Sequence, residues 1–349
     1  MSLVVEVVRS GFVESRHQAR MLTLDAAGRP VEAHGAVHVP ASPRSSMKPL
    51  QALGMLRAGL GLSGELLALA CASHAGEPYH VEGVRKILAG AGLDESALRC
   101  PEDYPEDRAV TDRGRVYMNC SGKHAAMLAT CVQNDWPLAT YLEPPHPLQR
   151  AIRATVEELT GERMVASGVD GCGAPLFFVS MLGVARAFAS LALSTEAGTD
   201  DGVGEHTEHD TVGRAEGGTD EGPQVDPAGT VGTVGTVSTV STAGRRPRVV
   251  FDAMRAHPEW TSGTHRPEAA LMRALPGLVV KAGAEGFQAF VFEDGRAGVI
   301  KVEDGAGRGR TPLTVAALRT LGLTSPELDA LATQPVLGGG RPVGELRVR

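Results

Sequence analysis

Residues 3–8 are β-branched and mostly apolar, which predicts a strand. Residues 20–25 and Pro30–His34 flank Ala-Ala-Gly-Arg and predict a hairpin. The pattern changes at Ser45. From there Met47, Leu50, Leu53, Leu56 and Leu60 recur every three or four residues, the period of a helix with one apolar face. Further helices are expected over residues 81–91, 123–134, Pro147–Thr160 and 176–193. Strand character returns over residues 278–281 and Phe287–Phe292, and Asp294-Gly295 turns the chain into a third strand, Ala297–Val302. Two short helices and a strand over residues 344–348 finish the chain. Strands at both ends around a helical middle predict an α+β fold, with one antiparallel sheet closed by the two termini and packed with a helical region.

The stretch 195–248 breaks this order. Its first half is rich in Gly, Thr and Asp, and its second half repeats Gly-Thr-Val and Ser-Thr-Val. It reads as a low-complexity flexible insertion within a single domain spanning residues 1–349, with edge-strand pairing by the Val-Thr repeat as the alternative. Between Glu196 and Gly244 ten acidic residues face one basic residue, Arg214, so that stretch carries more negative charge than the chain's net -7. The rest is close to neutral and shows no basic stripe, which argues against nucleic-acid binding. A hydrophobic content of 42% supports a sizeable core, but aromatics make up only 4%, so Leu, Val, Ala and Met must build it. No run approaches the roughly 18 apolar residues of a membrane span. The first ten residues lack the features of a signal peptide, and five irregularly spaced cysteines do not form a disulfide framework. A cytoplasmic location is expected.

Five polar clusters carry candidate chemistry. Arg44-Ser45-Ser46-Met47-Lys48 lies where a helix begins, and Ser45 and Lys48, three residues apart, share a helical face. A serine hydroxyl becomes a nucleophile when a neighbouring base takes its proton, and a lysine of lowered pKa serves. Ser-x-x-Lys is the nucleophile pattern of serine β-lactamases; the alternative is a serine N-cap followed by a surface lysine. Ser73-His74-Ala75-Gly76-Glu77 follows an apolar run and reads either as a pocket wall or as a capping turn. Asn119-Cys120-Ser121-Gly122-Lys123-His124 and Val169-Asp170-Gly171-Cys172-Gly173 combine glycines with polar residues, as site-bearing loops do. Cys120 and Cys172 are soft ligands able to share a zinc ion if the fold joins them, or else two buried thiols. Lys281-Ala282-Gly283 ends a strand, and is close to the Lys-Thr-Gly of the same β-lactamase pattern.

Together with Ala284-Glu285-Gly286, His257-Pro258-Glu259, Gly263, Arg266 and Lys301-Val302-Glu303-Asp304-Gly305, these phrases in this order make the chain resemble the asparaginase II family over nearly its whole length outside the insertion. The resemblance implies a serine β-lactamase-like (penicillin-binding-protein-like) fold and an L-asparagine amidohydrolase that works through an acyl-enzyme. It implies two serine-lysine pairs, Ser45 with Lys48 and Ser73 with Lys281. The Ser45 pair is the preferred nucleophile, since Ser46 is only two residues from Lys48. It further implies a zinc ion on Cys120, Lys123 and Cys172, supported by Asp170 and organising the site more than activating water, and a homodimer. For the substrate's α-carboxylate the nearest cations in sequence are Arg44 and His74; for its α-ammonium, Glu77. A β-lactamase-like esterase or peptidase and a non-catalytic asparagine-binding protein are the competing readings.

Overall fold

The computed structural model describes residues 3–107, 109–164, 167–193 and 247–349. Ten strands lie among them: β1 (Leu3–Arg9), β2 (Phe12–Leu24), β3 (Pro30–His34), β4 (Ser167–Val169), β5 (Pro175–Phe177), β6 (Leu278–Ala282), β7 (Phe287–Phe292), β8 (Ala297–Val302), β9 (Pro335–Gly338) and β10 (Arg341–Val348). The helices are α1 (Lys48–Arg57), α2 (Gly64–Ala70), α3 (Pro78–Gly90), α4 (Ser121–Gln133), α5 (Pro147–Thr160), α6 (Met181–Leu193), α7 (Arg248–Ala256), α8 (Pro258–Thr261), α9 (Pro267–Ala274), α10 (Arg310–Thr320) and α11 (Pro326–Ala332).

Eight strands form one sheet in the order β6-β7-β8-β2-β1-β10-β9, with β3 also paired to β2. Every pairing is antiparallel. The termini close the sheet as expected: Val5 pairs with Val348, Val7 with Leu346. The sheet separates two cores. Leu22, Leu24, Val279, Phe287, Ala289, Val291 and Val299 face the larger, with α1 to α7. Met21, Leu278, Val280, Phe290, Ile300 and Val302 face the smaller, with α9, α10 and α11. Burial of both faces explains why Phe287–Phe292 reads as an almost continuous apolar run instead of an alternating one. The fold is α+β.

Several boundaries differ from the sequence reading. The helix expected from residue 176 begins at Met181, because Pro175–Phe177 pairs with Ser167–Val169 as a separate ribbon. The hairpin's first strand extends back to Phe12, and Asp25 holds the turn by accepting from the Ala27 and Arg29 amides. The helical pattern at Ser45 resolves into a 3₁₀ turn, Arg44–Met47, that feeds α1 at Lys48, with Pro49 in the first turn where its missing N–H is harmless. Most of the insertion expected at 195–248 lies outside the described residues, but Pro247 and Arg248 are described and Arg248 opens α7. Among the described residues no helix is long and apolar enough to cross a membrane.

Candidate active site

The site lies where the start of α1, the segment after α2 and the edge strand β6 meet. α2 runs through fully buried Leu67, Ala68, Leu69 and Ala70 and ends at Cys71, so the next residues, Ala72 and Ser73, are delivered from inside the larger core. Thr261 O accepts from the Ser73 amide at 3.2 Å and anchors the segment on its far side. On the other side the 3₁₀ turn is pressed against β6. Ser46 Oγ donates to the Lys281 carbonyl at 2.8 Å, which occupies an acceptor on an edge strand. The approach is so close that a Cβ on Gly283 would lie 2.3 Å from the Pro43 carbonyl. Only glycine fits there.

Two buried lysines converge on one hydroxyl. Lys281 Nζ lies 2.9 Å from Ser73 Oγ, and Lys48 Nζ lies 3.1 Å from it. Lys48 is further fixed by donating to Ala72 O at 2.5 Å, and Lys281 by donating to Ala282 O at 3.0 Å. Burial, and then the positive charge of Lys48, hold the Lys281 amine well below the usual lysine range. A neutral amine in hydrogen-bond contact with a serine hydroxyl is a proton acceptor for a nucleophile. Ser45 and Lys48 do not make the contact that their spacing predicts. The Lys48 stem runs past the turn to Ser73, and the Ser45 side chain makes no hydrogen bond among the described residues.

The remaining predicted residues surround this centre. Arg44 sits in the left-handed region (φ 50) and donates to Asp170 Oδ1 at 2.7 Å, so backbone strain and an ion pair coincide beside Ser45. Burial works to raise the Asp170 pKa, but the charge of Lys123 and the bonds from Arg44 and the Gly171 amide outweigh it and hold the carboxylate ionised. His74 is buried with both ring nitrogens engaged: the Gly76 amide donates to Nδ1 at 3.1 Å, which leaves the proton on Nε2 to meet Ser121 Oγ at 2.8 Å. Burial, then the charges of His80, Lys48 and Arg266, keep it neutral. Of the two cations expected for a substrate carboxylate, Arg44 therefore carries the charge. Glu77 accepts from Tyr79 Oη and the Thr264 amide, both at 2.9 Å, and lines a cleft of about 970 Å³.

The cysteine-lysine set also comes together. Lys123 Nζ, on the first turn of α4, donates to Cys172 Sγ at 3.2 Å. Cys120 Sγ donates to Asn119 Oδ1 at 3.1 Å. The neighbouring Cys120 thiol, helped by Lys123's charge and opposed by burial, lowers Cys172 to about 4, while Cys172 and burial push Cys120 up to about 12. Burial works to lower Lys123, but the charges of Cys172, Cys120 and Asp170 outweigh it and raise it. The set is thus a thiolate, a thiol and an ammonium in contact. Among the described residues no three His, Cys, Asp or Glu side chains converge on a metal position. Two sulfurs and an amine nitrogen around one point nevertheless fit a soft divalent cation, with the ammonium holding the place of its positive charge.

Three residues of the site wall carried no assigned role in the sequence. Arg266 donates to the Ser73 carbonyl at 3.2 Å and pairs with Glu106, lining both the larger cleft and a second of about 730 Å³. Ser262 and Glu268 are buried beside Ser73. Arg266 belongs to the motif phrase with Gly263; Ser262 and Glu268 had no signal, since lone polar residues on short helices are ordinary.

No match was found among curated proteins. The L-asparaginase II family model matches residues 5–215 and 228–348. With the two serine-lysine phrases and the cysteine-lysine set gathered around one buried centre, that match over nearly the whole length identifies the chain as a member of the L-asparaginase II family.

Proposed function

We propose that this protein hydrolyses L-asparagine to L-aspartate and ammonia through an acyl-enzyme on Ser73, with neutral Lys281 as the base. The observation that carries this reading is the Ser73 hydroxyl held between two buried lysine amines, one of them strongly depressed in pKa. Spacing alone favoured Ser45; the contacts of Lys48 and Lys281 support Ser73 instead, and Ser45 stands half-buried beside the Arg44–Asp170 pair. Lys281 takes the Ser73 proton as Oγ bonds to the amide carbon. The proton passes to the departing amine, ammonia leaves, and an aspartyl ester remains. The Lys48 charge favours the oxyanion that develops between these steps.

The Arg44–Asp170 pair suits the zwitterionic head of an amino acid, with Arg44 for the α-carboxylate and Asp170 for the α-ammonium. His74 shapes the pocket as a neutral ring, and Glu77 faces the cleft mouth. Cys120, Lys123 and Cys172 would hold a zinc ion. When bound, it would tie the Asp170 loop to α4 without changing the net charge of the set, because two protons leave as the dication enters. The reading also places the antiparallel sheet and its helical layer in the serine β-lactamase-like group, and makes the protein a cytoplasmic homodimer, which light scattering and cell fractionation test. The direct experiment is ammonia release from L-asparagine by the purified protein, with L-glutamine as control and Ser73→Ala beside Ser45→Ala. Loss in the first variant and retention in the second supports the assignment. The reverse pattern returns the nucleophile to Ser45.

A further inference from the structure

Behind Ser73 lies a small cavity walled by Ser73, Thr261, Ser262, Arg266, Glu268 and Lys281. The space open to a water centre is about 10 Å³, room for about one water molecule and too little for any part of an amino-acid substrate. Val280 and Ala282 complete the wall, so polar and apolar groups share it. Ser262 is 4% exposed, and its hydroxyl has no hydrogen-bond partner. Glu268 is equally buried; its carboxylate makes no hydrogen bond among the described residues, lies 3.6 Å from the Arg310 guanidinium, and acts by its charge on Lys281. An unpaired buried hydroxyl costs on the order of 1–3 kcal/mol, and a water bonded to Ser262 and Glu268 removes that cost. The same water would lie beside the Lys281 amine and Ser73 Oγ, which share the cavity wall.

We propose that this cavity holds the water that hydrolyses the acyl-enzyme, and that Ser262 and Glu268 position it. The inference rests on the acyl-enzyme reading above and adds the origin of the second reactant. Ser262 is well placed for this, because the preceding residue, Thr261, bonds the Ser73 backbone. In the step, the water oxygen bonds to the acyl carbon as its proton passes to the neutral Lys281 amine. The bond from that carbon to Ser73 Oγ then breaks, and Oγ takes the proton from Lys281. Aspartate leaves, and serine and amine return to their starting states. Arg266 and Glu268 also line the larger cleft, so the cavity adjoins the space through which substrate would enter.

Hydroxylamine, which competes with water for an aspartyl ester, tests this. Wild-type enzyme turning over L-asparagine with hydroxylamine present forms aspartate and β-aspartyl hydroxamate in some ratio. In Ser262→Val, which fills the cavity, and in Ser262→Ala, which removes the anchor, hydrolysis of the ester slows by about 10²-fold. Two readouts follow: aspartyl-enzyme accumulates in acid-quenched mass spectra, and the hydroxamate-to-aspartate ratio rises by a similar factor. A merely structural defect lowers both products together and leaves the ratio alone. An unchanged ratio in folded Ser262→Ala, with hydroxamate formed by wild type, overturns the water site and leaves the acyl-enzyme reading standing. Absence of both adduct and hydroxamate in active wild type overturns the acyl-enzyme and the water site with it. If the valine variant does not fold, the alanine variant carries the kinetics. A crystal structure of the wild type is the second check: an ordered water bonded to Ser262 Oγ supports the proposal, and a dry cavity overturns it.

Discussion

Two lysines, Lys281 and Lys123, are buried to nearly the same extent, 2% and 1% exposed, and are driven in opposite directions. Burial pulls both down. At Lys281 the nearest charge is another lysine, which adds to burial and leaves a neutral amine against Ser73. At Lys123 the neighbours are the Cys172 thiolate, Cys120 and Asp170, which overcome burial and leave an ammonium against Cys172. Desolvation is common to both sites, so the sign of the local charge decides which lysine is a base and which is a cation. The first arrangement suits proton transfer; the second suits a metal.

The largest effect expected from this contrast is at the first centre. Ser73→Ala and Lys281→Met should each lower asparagine turnover by roughly 10²–10⁴-fold or more while circular dichroism stays unchanged. Turnover within a few-fold of wild type in Lys281→Met would remove Lys281 as the base. At the second centre the prediction is a proton count. At neutral pH Cys172 is already a thiolate, while Cys120 and Lys123 hold their protons. Zinc binding should therefore release two protons, seen by calorimetry in buffers of different ionisation enthalpy. It should release one in Lys123→Met, and Cys172→Ser should lose most of its zinc by elemental analysis. Release of fewer than two by the unaltered chain would mean that Lys123 or Cys120 keeps its proton and is not a ligand.

The pH profile sharpens the comparison further. The base must be neutral, so activity rises with pH through the Lys281 pKa and levels above it. With that pKa lowered, the acid limb of kcat/KM should lie well below the ordinary lysine value of about 10.4. Removing the neighbouring charge in Lys48→Met should move the limb to higher pH, whatever happens to the plateau. A limb that stays put would show that burial alone sets the shift. The smallest effect concerns the scaffold. Gly283→Ala forces a Cβ towards the Pro43 carbonyl and should cost about 1–3 kcal/mol. Melting temperature and activity should fall together, because the turn carrying Ser46 and Lys48 must retreat from Lys281.

Much of this was legible along the chain. The helical period after Ser45, the three late strands and the pairing of the termini follow from side-chain periodicity, which is local. Arg44, Lys48, Ser73, Cys120, Lys123, Asp170, Cys172 and Lys281 were visible as polar clusters in a characteristic order. The ribbon at Ser167–Val169 and Pro175–Phe177 was missed because three-residue strands carry no period, and the apolar residues before Met181 looked like more of the same helix. Ser262 and Glu268 were missed because their meaning comes from burial.

By itself the sequence determined the inventory: the residue types able to form a serine-lysine centre and a sulfur-nitrogen metal set, and the elements that bear them. It did not determine the pairings. Spacing put Lys48 with Ser45, three residues away, whereas the folded chain gives Lys48 to Ser73, 25 residues on, and brings Lys281 to the same hydroxyl from 208 residues away. Spacing along a helix constrains which side chains are able to meet. A long flexible lysine stem goes instead to whichever acceptor the buried core leaves for its nitrogen, and that acceptor, like the charge that decides each lysine's proton, exists only once distant segments have packed together.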